Sequence, residues 1–258
     1  MVQLGKVLAI TNQKGGVGKT TTSVNLSASL AATKRKSLLI DLDPQGNATM
    51  GSGVDKKDLS ISIYDVLMGE KSIEEATLSL ESTRYDLLPS NSDLTGAEVG
   101  LLNITNREAQ LRKEIEKIRD KYAYIIIDCP PSLNMLTVNA LVAADSVVIP
   151  TQCEYYALEG LSALLETIDK IKNVLNPKLD VEGLLRTMFD SRNNLANEVS
   201  KQLTDYFGDK VYNTIIPRNV RLAEAPSHGQ PIILYDKTST GAIAYLALAG
   251  ELMRKEIQ

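Results

Sequence analysis

The chain has 258 residues, 43% apolar and 23% charged, with 28 Lys and Arg against 32 Asp and Glu for a formal net charge of −4. That length suits one large α/β domain with a full core, and no apolar stretch approaches the ~20 residues of a membrane span. The charge balance excludes a globally basic nucleic-acid binder and leaves room only for a local patch; two cysteines, Cys129 and Cys153, in neither metal nor disulfide spacing suit a reducing cytoplasm.

The N-terminus Met1-Val2-Gln3-Leu4-Gly5-Lys6 runs straight into an apolar run, Lys6–Thr11, that reads as a buried strand and leaves no room for a signal peptide. Gln13-Lys14-Gly15-Gly16-Val17-Gly18-Lys19-Thr20-Thr21-Thr22 follows, then Ser23–Ala31 with apolar residues at helical spacing. Strand, glycine-rich loop and helix are the context of a phosphate-binding loop. The glycines allow backbone N–H groups to turn around an anion, and the helix N-terminus adds partial positive charge. Lys19 is predicted to reach the β- and γ-phosphates and the Thr20 hydroxyl to ligate Mg²⁺.

Ser37–Asp43 is a second short strand ending in two carboxylates, Asp41 and Asp43, broken by Pro44-Gln45-Gly46-Asn47. Strand ends of open α/β sheets face the ligand crevice, so both fall beside the loop. Asp43 could orient a water for attack, or simply cap the turn. Residues 64–68 and 73–76 read as short helices and 85–90 as a strand. Residues 106–121 read as one amphipathic helix with Leu111, Ile115 and Ile118 inward and its charges solvated and paired i,i+4. Tyr124–Asp128 is a β-branched run for a central parallel strand, with Asp128 where a Walker B carboxylate belongs. Cys129 reads as a packed thiol.

Asp145–Pro150 gives another strand, and Gln152–Gly160 leads into a long helix ending near Asn176. The Glu154-Tyr155-Tyr156 cluster reads from its residues as aromatics packing a helix start. Strands follow at 181–189 and 211–216, a turn at 190–194 and a closing helix from Thr240 to about Lys255 that packs on the sheet. The only histidine, His228, has no metal or triad partners in the sequence and reads as a loop residue. Alternating strands and helices imply an α/β, doubly wound, mostly parallel sheet flanked by helices.

The loop departs from G-x-x-x-x-G-K-[ST], with Gln13 where glycine is usual and Lys14 after it. Lys-Gly-Gly-Val-Gly-Lys-Thr resembles the deviant Walker A loop of the ParA/MinD family of ATPases. Asp41–Thr49 resembles that family's switch I, and Pro217–Gly229 is most similar to the chromosomal ParA (Soj) type. The resemblance covers nearly the whole chain and implies a P-loop NTPase fold of the deviant Walker A type, with residues 1–258 as a single ATPase domain and no amino-terminal helix-turn-helix domain. It implies ATP and Mg²⁺ as cofactors, with Lys14, Gly15, Gly16, Val17, Gly18, Lys19, Thr20 and Thr21 around the phosphates. Pro217 and Asn219 would read the base; Thr20, Asp41 and Asp128 would lie around the metal, and, by the resemblance alone, Glu154-Tyr155-Tyr156 would lie near the nucleotide. Lys14, Lys19 and Asp43 would be catalytic, with Lys14 delivered across a dimer interface as arginine fingers are, for which the effect is roughly 10³–10⁵ in rate.

By the same resemblance Arg192 and Arg221 would bind double-stranded DNA nonspecifically, and with Arg218 they make three arginines on loops near one edge that could neutralise phosphates, although solvated surface arginines are the plainer reading. The implied activity is a slow ATPase switch for chromosome or plasmid partitioning. It would be an ATP-bridged homodimer, cytoplasmic and nucleoid-associated, stimulated by a ParB-like protein. Three alternatives stand beside it. A MinD-like, membrane-recruited ATPase would need a basic amphipathic anchor, which the tail Glu251–Gln258 lacks. An electron-transfer ATPase would need cluster cysteines, and a small-molecule synthetase would not need Arg192 and Arg221.

Overall fold

The computed structural model describes residues 4–255, so Met1–Gln3 of the predicted N-terminal run and Glu256–Gln258 of the tail lie outside the described residues. Eight strands form one sheet: β1 (Lys6–Ile10), β2 (Ser37–Asp41), β3 (Leu78–Leu80), β4 (Tyr85–Leu88), β5 (Tyr124–Asp128), β6 (Ser146–Gln152), β7 (Asp180–Phe189) and β8 (Val211–Pro217). Their spatial order is β3-β4-β2-β5-β1-β6-β7-β8. Every pairing is parallel except β3 with β4. The mostly parallel, doubly wound α/β sheet anticipated from the sequence is therefore present.

Alternation along the central strands sends side chains into two cores. Val7 and Ala9 of β1 join Ile125 and Ile127 of β5 on one face, under the helices Met135–Ala143 and Ala157–Val174. Leu8, Ile10 and Ile126 face the other side, against the helices Lys19–Ala32 and Thr240–Lys255. Strands covered on both faces need β-branched residues throughout, which is why β5 reads Tyr-Ile-Ile-Ile-Asp. Register then does the positioning: Asp128 lies opposite Ile10 on one side and Asp41 on the other. Three strand ends meet where the glycine-rich loop begins.

Three sequence expectations need correction. Residues 106–121 are not one helix: a 3₁₀ turn (Arg107–Ala109), a helix (Gln110–Glu116) and a second 3₁₀ turn (Arg119–Lys121) replace it. The Arg119 carbonyl accepts the Gly5 N–H at 3.0 Å and the Arg119 side chain donates back to the Gly5 carbonyl, which draws the chain off the helical ladder. Its charges also pair across the fold, Arg119 with Asp145 and Lys121 with Glu74, and Lys117 pairs with Glu114 at i,i+3. Finally, Tyr155 and Tyr156 do not pack the helix start; they are 74% and 68% exposed and touch each other edge-to-face.

Candidate active site

Between β1 and the helix Lys19–Ala32 the chain turns through Gly16 at φ +74° and Gly18 at φ +88°, left-handed values that favour glycine. Gly18 is the helix N-cap, no side chain caps it, and the first turn holds no acidic residue. The helix therefore presents open N–H groups and the positive end of its dipole to the concave side of the loop. Loop carbonyls are drawn elsewhere. Thr187 donates its hydroxyl to Val17 O at 2.8 Å, Lys19 Nζ donates to Lys14 O at 3.1 Å, and Gln152 Nε2 donates to Gly16 O at 3.4 Å. A loop with its carbonyls tied back and its amides open is a cradle for anionic oxygens.

Lys19 is buried, and burial lowers its pKa against the opposing pull of Asp128, Cys129 and Asp43. Asp128 accepts the Ser23 hydroxyl at 2.8 Å through Oδ1. Its Oδ2 is buried with no hydrogen-bond partner, and Thr20 lies close to the carboxylate. An orphaned buried carboxylate oxygen beside a threonine hydroxyl and an anion cradle fits a hard divalent cation. The described residues contain no cluster of three or more acidic, His or Cys side chains able to hold a metal unaided. Mg²⁺ suits such a site because it keeps waters and phosphate oxygens as ligands.

Asp41 is built differently. Its Oδ2 accepts both the Thr49 N–H at 2.8 Å and the Thr49 hydroxyl at 2.7 Å, and its Oδ1 accepts the Asp43 N–H at 3.2 Å. It anchors the segment after β2 and has fewer free lone pairs for a cation than Asp128. Burial pushes both carboxyls above the ordinary range, aided at Asp128 by the charge of Asp41 and at Asp41 by Asp43. Asp43 is held by its Oδ1 accepting the Gln45 N–H at 2.9 Å and by its carbonyl accepting the Ser90 hydroxyl at 2.8 Å. Cys129 is the packed thiol expected, its pKa raised by burial.

Lys14 Nζ pairs with Glu154 Oε2 at 2.5 Å, both side chains about half exposed. Sequence reasoning did not find this partner, 140 positions away. Pro217 and Asn219 line a cleft of about 210 Å³ with Gly18, Thr21 and Met188. The Asn219 amide caps the helix Val220–Glu224, accepting the Leu222 N–H at 3.1 Å, and donates to Thr240 Oγ1 at 2.7 Å.

The three arginines are all exposed, Arg192 and Arg218 in the turns after β7 and β8 and Arg221 not on a loop but in the helix Val220–Glu224. Arg192 is held by both oxygens of Asp190, and Arg221 pairs with Glu224 at 2.9 Å and Asp236 at 3.7 Å. Arg218 donates its backbone N–H to Phe189 O and lies near enough to help lower the pKa of Asp190. His228 stacks on Tyr235 and touches no catalytic group.

A family model described as an AAA domain matches residues 5–181. The chain is 54% identical over 249 residues to the sporulation initiation inhibitor protein Soj of Bacillus subtilis, covering 96% of this chain and 98% of that protein. It is also 54% identical over 253 residues to the chromosome partitioning protein ParA of Myxococcus xanthus, covering 98% of this chain and 89% of that one. A solved structure of cobyrinic acid a,c-diamide synthase from Mycobacterium smegmatis, with bound ADP and magnesium, superposes with a TM-score of 0.87 at 38% identity, over 99% of this chain and 96% of that chain.

Proposed function

This chain belongs to the ParA/Soj family of P-loop ATPases, and from that premise we propose that it is a Mg²⁺- and ATP-dependent dimerisation switch for chromosome or plasmid partitioning. The observation that carries the reading is the pairing of an uncapped helix N-terminus at Gly18 with the unpartnered Oδ2 of Asp128. The first would receive phosphate oxygens and the second Mg²⁺, together with Thr20. Bound there, Mg²⁺ would neutralise charge building on the transferred phosphoryl group.

The amides of Gly15 through Thr21 hold the phosphates, and Lys19 neutralises them. Asp41 positions the segment that carries Asp43, and Asp43 accepts a hydrogen bond from the attacking water to hold it in line. Pro217 and Asn219 border the base. Lys14, half exposed and held in the free chain by Glu154, crosses to the phosphates of a second subunit, so each nucleotide is contacted by both chains. The ATP-bound homodimer joins two sets of Arg192, Arg218 and Arg221 and binds double-stranded DNA without base readout. Hydrolysis, stimulated by a ParB-like partner, releases it and makes the protein nucleoid-associated only in the ATP state.

A membrane-recruited switch gains no support from the closing helix: Ala242, Tyr245, Leu248, Ala249 and Leu252 are buried against the helix Lys19–Ala32. No helix among the described residues is long and apolar enough to cross a membrane. The test is sedimentation of Asp43→Ala with MgATP, MgADP or neither. Dimers with MgATP alone, lost in the Asp43→Ala/Lys14→Ala double variant, support the proposal; nucleotide-independent monomers refute it.

A further inference from the structure

We infer that Met188 is a base-packing residue of the nucleotide site, its thioether forming the apolar wall against which the face of an adenine packs. The inference rests on the nucleotide-binding reading above. Among the described residues, four non-glycine residues have positive φ: Lys34, Arg84, Asn106 and Met188. The first three sit in turns, whereas Met188, at φ +48°, sits inside β7. A left-handed methionine within a strand is strained and persists only where surrounding structure enforces it.

The register between β7 and β8 shifts between Arg186 and Phe189, so the strain falls at an irregularity of the ladder that re-aims a side chain. That side chain points at the loop. The Met188 methyl lies 3.7 Å from where a Cβ on Gly18 would stand, and its sulfur meets Gln152 Nε2 at 2.8 Å. Met188 thus bridges the glycine-rich loop to the cleft it lines with Ile216, Pro217, Leu222 and Tyr245. Those neighbours offer mainly apolar surface. The edge-reading group, Asn219, has each end of its amide engaged once already by Leu222 and Thr240. Base affinity therefore leans on face contacts, and a polarizable thioether is well matched to an aromatic face.

The test is titration calorimetry of MgATP into the wild type, Met188→Leu, Met188→Ala and Met188→Gly, with melting curves of the nucleotide-free proteins. ATP affinity should fall about five- to tenfold in the Ala and Gly variants and less in Leu, which keeps the bulk. Met188→Gly should melt no lower than wild type, because glycine adopts this backbone freely. Affinities within twofold of wild type in Ala and Gly would overturn the inference. So would a loss of affinity in Met188→Gly accompanied by a lowered melting temperature, which marks a structural residue. A wild type that binds no MgATP would instead overturn the nucleotide-binding reading itself, and this inference with it.

Discussion

Replacing Glu154 with Gln should strengthen the ATP-bound dimer. In the free chain Lys14 Nζ lies 2.5 Å from Glu154 Oε2, with side-chain exposures of 49% and 52%. If Lys14 acts in the other subunit, that pair must open before the dimer closes. An exposed ion pair contributes about 0.2–1 kcal/mol. A two-fold dimer opens two of them, about 0.4–2 kcal/mol in all, or roughly 2- to 30-fold in the dimer dissociation constant. The amide keeps the size of the side chain and removes its charge. Sedimentation equilibrium with MgATP, in an Asp43→Ala background that prevents turnover, measures the constant directly. The advantage of Glu154→Gln should shrink as salt rises and screens the wild-type pair. Weaker dimerisation in Glu154→Gln would refute the reasoning, because it would mean that Glu154 makes a contact the dimer needs.

Asp43→Ala alone should bind MgATP normally and hydrolyse it about 10²–10⁴-fold more slowly; wild-type turnover by a phosphate-release assay would remove Asp43 from the mechanism. Gly18→Ala forces alanine to φ +88°, which should cost about 1–2 kcal/mol of stability and weaken ATP binding, read by melting and calorimetry. Glu251 accepts the Asn213 N–H at 2.7 Å and the Thr214 N–H at 2.8 Å, capping the edge strand β8. Burial raises its pKa, but the bonds from Thr214 and Asn213 outweigh that and hold it below the usual range. A lowered carboxylate pKa adds stability above the unfolded value of about 4.3 that is lost as pH falls through the folded value. Glu251→Gln should therefore cost about 1–3 kcal/mol at pH 7, with the two proteins converging as pH falls through the lowered folded value; equal melting at pH 7 would contradict this.

The legible parts of the fold were those that one segment specifies by itself. The β-branched runs at β5 and β6 need cover on both faces and declare it, and the glycines of residues 15–18 mark a turn that few other residues can make. Of the elements that the sequence does not announce, three show different reasons. β3 is three residues long, too short for a period to register. The helix Met135–Ala143 is buried nearly all round, so it shows no polar face. The helix Asn194–Phe207 did carry a signal: Asn193 caps it, and Ala196, Val199, Ser200 and Leu203 recur at helical spacing. In the site, the loop and the two strand-end aspartates were visible in the sequence. The partners that divide their work were not, since Ser23 meets Asp128 across 105 positions and Lys14 meets Glu154 across 140. Such pairings are properties of sheet order.

The most direct test of the switch is binding to random-sequence duplex DNA with ATP, with ADP and without nucleotide, across a salt series. The account predicts binding with ATP only, falling steeply with salt, and a shallower slope in Arg192→Ala and Arg221→Ala as phosphate contacts are lost. DNA binding absent in every nucleotide state, or equal in all of them, would contradict it.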